Sequence, residues 1–438
     1  MPSSRSPSSW SRSSRSWYST RTTKKAPRLG EVIRSLRVDD LEGKHADARN
    51  QNLRTVGSYT WVDNPSSGPT ILVPGKPPLW TPQDQRSRFK EDAGSYFRDK
   101  NAARYPKYPM EPAVIAALTT NVTNPTDVDI FACASTLGNL LRFIQGEDAT
   151  FRMLAYKLHN TVFLVRRENS PTQLIPDVRG HGHIFHEANT TWESEVKGCA
   201  SHQRLVRYDF GLSVIVRFEA DGYIRPPNTT DTTTTSPTTP SPTTLASPAP
   251  ATVDDLTTSL AATTVSPASA APKPKSQSTF NTALTVLHSP PDAACTPHEQ
   301  LFSLRTRSIH ARRQRNELLA AELPRLWIRQ VPTFVLAFHM HGLFRREETE
   351  IVDVRGLLRE WEDEHAGELQ RFAALLRWVR TVVCESLEGR VEICRWARDE
   401  RGGEWEMGLE VRTVVVGEGA AAGVVSAEVR KRWEMAGR

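Results

Sequence analysis

Ser213-Val-Ile-Val-Arg-Phe-Glu-Ala-Asp-Gly-Tyr-Ile224 is rich in β-branched and apolar residues and reads as a strand. A period of two assigns its faces. Leu212, Val214, Val216, Phe218 and Ala220 point one way, while Glu219 and Asp221 project together on the other. Two carboxylates side by side repel unless a cation, a basic partner or water relieves them. A hard divalent metal asks for such oxygen ligands on a rigid element. A solvated acidic strand face is the simpler alternative, and the stretch by itself leaves both open.

The chain has 438 residues of uneven composition. Met1 to about Lys25 is almost wholly Ser, Arg and Thr, and residues from Pro226 to His298 are dominated by Thr, Ser, Pro and Ala. Such segments bury too little apolar surface to offset the entropy of ordering, and are expected to be disordered. The expected organisation is a basic tail over residues 1–50 and one domain in two parts, 51–225 and 299–438, split by an insert over 226–298.

The net charge of +6 is concentrated at the N-terminus (Arg5, Arg12, Arg15, Arg21, Lys24, Lys25) and in Arg305, Arg307, Arg312, Arg313 and Arg315. Such clusters suit polyphosphate or nucleic acid, and equally suit solvated faces. The five cysteines form no Cys-x-x-Cys pair, which points to a reducing compartment and away from a disulfide framework or a zinc site. The charged N-terminal residues precede no apolar stretch, and no run is long enough to span a bilayer, so neither secretion nor a membrane is expected. The Asn-x-Thr triplets at Asn121, Asn189 and Asn228 are then chance occurrences.

Strands are predicted at Ser58–Trp61, Ile71–Val73, Gly180–Phe185, Gln203–Phe210, Leu212–Ile224, Gln300–Arg307 and Thr333–His339. Phe151–Tyr156 and Thr161–Val165 read as a hairpin, and Val391–Trp396 with Trp405–Arg412 as a closing one. Helices are predicted at Glu111–Leu118, at Ser135–Gln145, and over Arg312–Gln330 with an interruption near Pro324. Leu369, Phe372, Leu376, Val379 and Val383 mark a further amphipathic helix whose stripe is core packing. The fold class is a mixed α/β (α+β) domain.

Several short motifs occur in a telling order: Asp129-Ile-Phe, Leu137-Gly-Asn-Leu-Leu141, Gly182-His-Ile-Phe-His-Glu187, Phe218-Glu-Ala-Asp221, and Trp327 followed by Gln330-Val-Pro and Gly342-Leu-Phe344. In this order the chain resembles the decapping exonucleases of the DXO type and their fungal relatives, variants of the PD-(D/E)xK nuclease fold. The resemblance runs from about Asp127 to Phe344, leaving out the insert. It implies metal ligation by Glu187, Glu219 and Asp221, with Gln330 as the amide that orients water or phosphate. It also implies one or two Mg2+ or Mn2+ ions activating water, RNA 5′ ends as substrates and a larger 5′-to-3′ exonuclease as partner; with the basic tail it points to the nucleus in preference to the cytoplasm.

The pattern departs where the family carries Glu-x-Lys and this chain reads Ser303-Leu-Arg305. Ser303 supplies no carboxylate. Arg305 keeps a charge for phosphate, as Arg307, Arg312 and Arg313 would, but cannot give up its proton. A weakened metal-dependent hydrolase and a catalytically silent RNA- or protein-binding module both remain open.

Two other sites come into question. His181, His183 and His186 with Glu187 would suit a transition metal if His181 and His183 shared a strand face, against the simpler reading of a satisfied histidine cluster. An isoprenoid-diphosphate synthase is rejected, because Asp39-Asp-Leu-Glu42 and Asp254-Asp255 lack the third Asp of its helical motifs.

Overall fold

Ser213–Ala220 is apolar on both faces as far as Val216, so it belongs in the middle of a covered sheet. The computed structural model of the chain places it there. The structure describes residues 27–41, 48–63, 68–83, 87–120, 124–147, 149–167, 170–226, 282–290, 295–395, 408–415 and 423–437. Among them, eleven strands form one mixed sheet. Its order is Val32–Arg37, Gly408–Arg412, Arg390–Arg395, Phe151–Leu158, Thr161–Arg166, Ile130–Cys133, Ser213–Ala220, Cys199–Asp209, Gln51–Val62, Thr70–Val73 and Thr285–His288. Ser213–Ala220 runs parallel to Ile130–Cys133 and antiparallel to Cys199–Asp209.

The expected alternation holds. Val214, Val216, Phe218 and Ala220 enter one core with side chains from helices Ala134–Ile144, Arg315–Arg329, Arg355–Glu364 and Ala366–Glu385. Ile215 enters the core of the opposite face, which helices Glu111–Thr119 and Ala427–Ala436 close through Ile115 and Trp433. Trp327 anchors Arg315–Arg329 between the rings of Phe210 and Trp361, and its indole N–H donates to Glu362 at 3.0 Å.

Past Ala220 the chain changes sheet. Gly222–Tyr223 pairs with Leu301–Phe302 in a seven-stranded sheet that also holds Thr333–Met340 and Leu343–Asp353. The strand expected over Leu212–Ile224 is therefore broken at Asp221. Gly222 allows the crossing: a Cβ there would stand 2.6 Å from the Phe302 ring and 2.8 Å from the Pro78 carbonyl.

Three further expectations are corrected. Gly180–Phe185 is not a strand; Gly182–Asn189 is a helix, because the Asp92 carboxylate accepts the N–H groups of His183 and Ile184, both at 3.0 Å. The predicted helix over Arg312–Gln330 begins only at Arg315, after a 3-10 turn at Ile309–Gln314, and continues through Pro324. The tail and the insert also contribute more than composition suggested. Val32–Arg37 and Thr285–His288 are the two edge strands of the large sheet, each satisfying its backbone on a neighbour. The closing hairpin pairs Arg390–Arg395 with Gly408–Arg412, while Trp396 and Trp405 lie outside the described residues, as do the Thr/Pro-rich tract and the N-terminal arginines up to Arg21. Among the described residues no helix is long and apolar enough to cross a membrane.

Candidate functional site

The crossing at Asp221 opens a cleft of about 1120 Å³ between the two sheets. Strand ends supply its acidic floor. Glu219, the penultimate residue of its strand, accepts the Ser201 hydroxyl at 2.9 Å from the neighbouring strand. Ser201 in turn accepts from Gln203 at 3.1 Å, and Gln203 accepts from the Arg217 guanidinium at 3.3 Å, so a polar chain runs along the sheet surface. Asp221 is tied across to the second sheet. Its Oδ2 accepts the Ser303 hydroxyl at 3.0 Å and the Leu304 N–H at 2.8 Å, and its carbonyl accepts from His186 Nε2.

Glu187, on the outward side of helix Gly182–Asn189, also lines the cleft but is solvent-exposed. The helix brings His183 and His186 toward the same space, and His183 stacks on Tyr96 with ring centres 4.2 Å apart. His181 lines the cleft as well and packs against His339, with ring centres 4.4 Å apart. The transition-metal reading required His181 and His183 on one strand face, and the helix removes that face.

Cations form the walls. Arg305 donates to Glu322 at 3.0 Å, and Arg307 and Arg325 reach the same carboxylate at 3.8 and 3.5 Å. One acid thus gathers three guanidinium groups, leaving a net positive cluster. Arg329 follows Arg325 by one helical turn and lines the cleft with it, and Lys100 and Arg179 add charge from other segments. Arg312 and Arg313 stand exposed on the 3-10 turn and do not line the cleft.

Gln330 is not part of the lining either. It ends its helix in the left-handed region, with φ 54°, and its side-chain amide donates to the Trp327 carbonyl at 2.6 Å. Its own carbonyl accepts from His298 at 2.7 Å. The amide expected to orient water is therefore a helix cap, and the residue before it, Arg329, faces the cleft. The sequence signal that would have found Arg329 is the four-residue spacing of Arg325 and Arg329 on a helix whose apolar stripe is buried.

His298 yields a pH prediction. Burial pushes its pKa down from 6.5 to about 4, partly opposed by its bond to the Gln330 carbonyl, so the neutral form is favoured in the fold. The unfolded chain then binds the extra proton first. The stability His298 carries is complete above pH 6.5 and drains as pH falls toward about 4, by at most about 3 kcal/mol. Urea unfolding of His298→Gln should show a flatter stability profile than wild type over that window.

The implied metal can be tested against these residues. Asp221 has one carboxylate oxygen hydrogen-bonded to Ser303 and Leu304 and Glu219 has one bonded to Ser201, while Glu187 lines the same cleft from the exposed side of its helix. Among the described residues no three His, Cys, Asp or Glu side chains come together as a ligand group. As placed, these residues form no ready-made site for Mg2+ or Mn2+, which wants several oxygens in near-octahedral array.

Two mixed sheets thus meet at an acid-floored, arginine-walled cleft. The chain belongs to the family described as a domain of unknown function (DUF8563), whose model matches residues 32–400. No curated protein matches it. Among solved structures it is similar to Scheffersomyces stipitis Rai1 in complex with (3′-NADP)+ and a calcium ion, at TM-score 0.52 and 10% identity over 94% of this chain and 100% of that one. It is also similar to Candida albicans Rai1 in complex with pU5 and Mn2+, at TM-score 0.50 and 8% identity over 92% of this chain and 99% of that one. Likeness at these identities establishes the fold, and it is the decapping-exonuclease fold that the order of short motifs resembled.

Proposed function

We propose that the cleft binds the phosphate-bearing 5′ end of an RNA strand, and that it does so without cleaving it at the rate of a working decapping nuclease. One observation carries this reading: Arg305, Arg307, Arg325 and Arg329 converge on a single cleft around Glu219 and Asp221. Guanidinium groups suit phosphate through paired, charge-assisted hydrogen bonds. The cleft volume of about 1120 Å³ exceeds that of ordinary small-ligand pockets and has room for a nucleotide with more chain beyond it. The nucleotide and the oligonucleotide named with the two similar Rai1 structures support the same ligand class.

Slow metal-dependent hydrolysis is the second reading, favoured by the intact Glu219–Asp221 pair. Against it stands Ser303, where the resemblance calls for a further carboxylate and this chain offers a neutral hydroxyl bonded to Asp221.

Fluorescence anisotropy with a short single-stranded RNA tests the proposal. The 5′-triphosphate form should bind about tenfold tighter than the 5′-hydroxyl form, as expected for one added set of charge-assisted hydrogen bonds. Equal affinity for both forms, or no binding, would overturn it. Release of nucleotide from the triphosphate RNA at a decapping enzyme's rate with added Mn2+ would favour the second reading.

A further inference from the structure

We propose that Cys133 is a modification site of the cleft, where a small hydroperoxide oxidises the sulfur to a sulfenic acid that an ordinary thiol reduces again. The site is independent of which ligand the cleft binds.

Cys133 ends strand Ile130–Cys133 and is the N-cap residue of helix Ala134–Ile144. No side chain caps that helix start, so its positive end is open to an anion at the cap position. Ser135, exposed in the first turn, holds its hydroxyl 3.1 Å from the Cys133 sulfur. Thr136 Oγ1 lies 3.4 Å from the same sulfur and donates to the Cys133 carbonyl at 2.7 Å. Across the sheet ladder, Arg217 is the parallel-strand partner of Cys133. Both residues line the cleft and also a smaller adjoining cavity of about 50 Å³. Arg217 is 7% exposed; one nitrogen donates to Gln203 at 3.3 Å, while its Nε is buried with no hydrogen-bond partner among the described residues. A buried guanidinium with a donor to spare calls for an acceptor beside it.

These neighbours favour the thiolate, which is the reactive form. Burial and, more weakly, Asp99 oppose ionisation, but the Arg217 charge and the two hydroxyls outweigh them and hold the thiol below its ordinary pKa. Cys199 and Cys394 behave in the opposite way, since burial pushes both thiols up to about 12. The reaction is a displacement at oxygen. The sulfur attacks one oxygen of the hydroperoxide, an S–O bond forms as the O–O bond breaks, and sulfur gives up two electrons. The departing oxygen takes a proton from solvent and leaves, as water when the oxidant is hydrogen peroxide. A cavity of about 50 Å³ admits a molecule of that size and excludes a bulky disulfide, which sets the class of oxidant.

The test exposes the full native chain to hydrogen peroxide at pH 7, traps sulfenic acid with dimedone after denaturation, and reads each cysteine by peptide mass spectrometry. The same chain unfolded in urea gives the ordinary rate of each thiol. Native Cys133 should react about fivefold faster than unfolded Cys133, because more of it is thiolate, whereas Cys199 and Cys394 should slow on folding. The native rate at Cys133 plotted against pH should have its midpoint below the ordinary thiol value of about 8.5. Ser135→Ala, a change at an exposed position, should raise that midpoint, which a merely structural Ser135 would not do. Native Cys133 reacting no faster than in urea, or with a midpoint at or above the ordinary value, would overturn the proposal. Both readings come from wild type and do not depend on any variant folding.

Discussion

Arg305→Ala combined with Arg325→Ala should weaken binding of 5′-triphosphate RNA about a hundredfold, about tenfold for each guanidinium removed from the phosphate. The two arginines share Glu322, at 3.0 and 3.5 Å. Removing one leaves that carboxylate still compensated by the other and by Arg307. Removing both leaves Arg307 alone against Glu322, so the cluster loses its net positive charge and its long-range attraction for phosphate. Salt dependence gives a second measure. Each phosphate neutralised on a single strand contributes about 0.7 to the slope of log affinity against log salt, so the double variant should lower that slope by about 1.4. Arg312→Ala with Arg313→Ala removes the same formal charge from an exposed turn outside the cleft and should change affinity by less than about twofold, since charges in open solvent are screened. Anisotropy titrations over a range of salt separate the two pairs. Equal losses would mean that the net charge of the chain, and not the cleft, attracts RNA.

Trp327→Ala should cost about 3–5 kcal/mol of stability, the range for truncating a buried aromatic side chain. Trp327 is 1% exposed and meets the rings of Tyr208, Phe210, Trp361 and Phe372. The loss is more than volume. Its indole N–H donates to Glu362, which also accepts the backbone N–H of Asn50 at 2.7 Å, so removal leaves a half-buried acceptor short of a donor. The same helix carries Arg325 and Arg329 on its cleft side, so loosening its seat also loosens the cation wall. Urea unfolding of Trp327→Ala and Trp327→Phe measures the effect. The Phe variant should lose markedly less, because an aromatic ring remains and only the hydrogen bond and part of the volume go.

Much of the fold was legible because burial writes a period into the chain. Val214, Val216 and Phe218 alternate with Ile215, and the two sets do enter opposite cores. Leu369, Phe372, Leu376 and Val379 recur at helical steps and are all buried in helix Ala366–Glu385. The helix at Gly182–Asn189 was hidden because its start depends on Asp92, far upstream in the chain, accepting its first N–H groups. The edge strands Val32–Arg37 and Thr285–His288 were hidden for a similar reason. Their neighbours, not their own composition, provide the hydrogen bonds that order them.

The cleft divides in the same way. Glu219 and Asp221 could be singled out from their spacing on a strand, and Ser303-Leu-Arg305 from its place on the next one. Local sequence alone determined those elements, since alternation and residue type fix which side chains a strand offers. Only the tertiary structure decided what surrounds them. The break at Asp221 sends that carboxylate to Ser303 and Leu304, and the left-handed end of a distant helix turns Gln330 into a cap and leaves Arg329 facing the cleft. What faces two acids across a cleft depends on which segments fold against them, and those segments lie far apart along the chain.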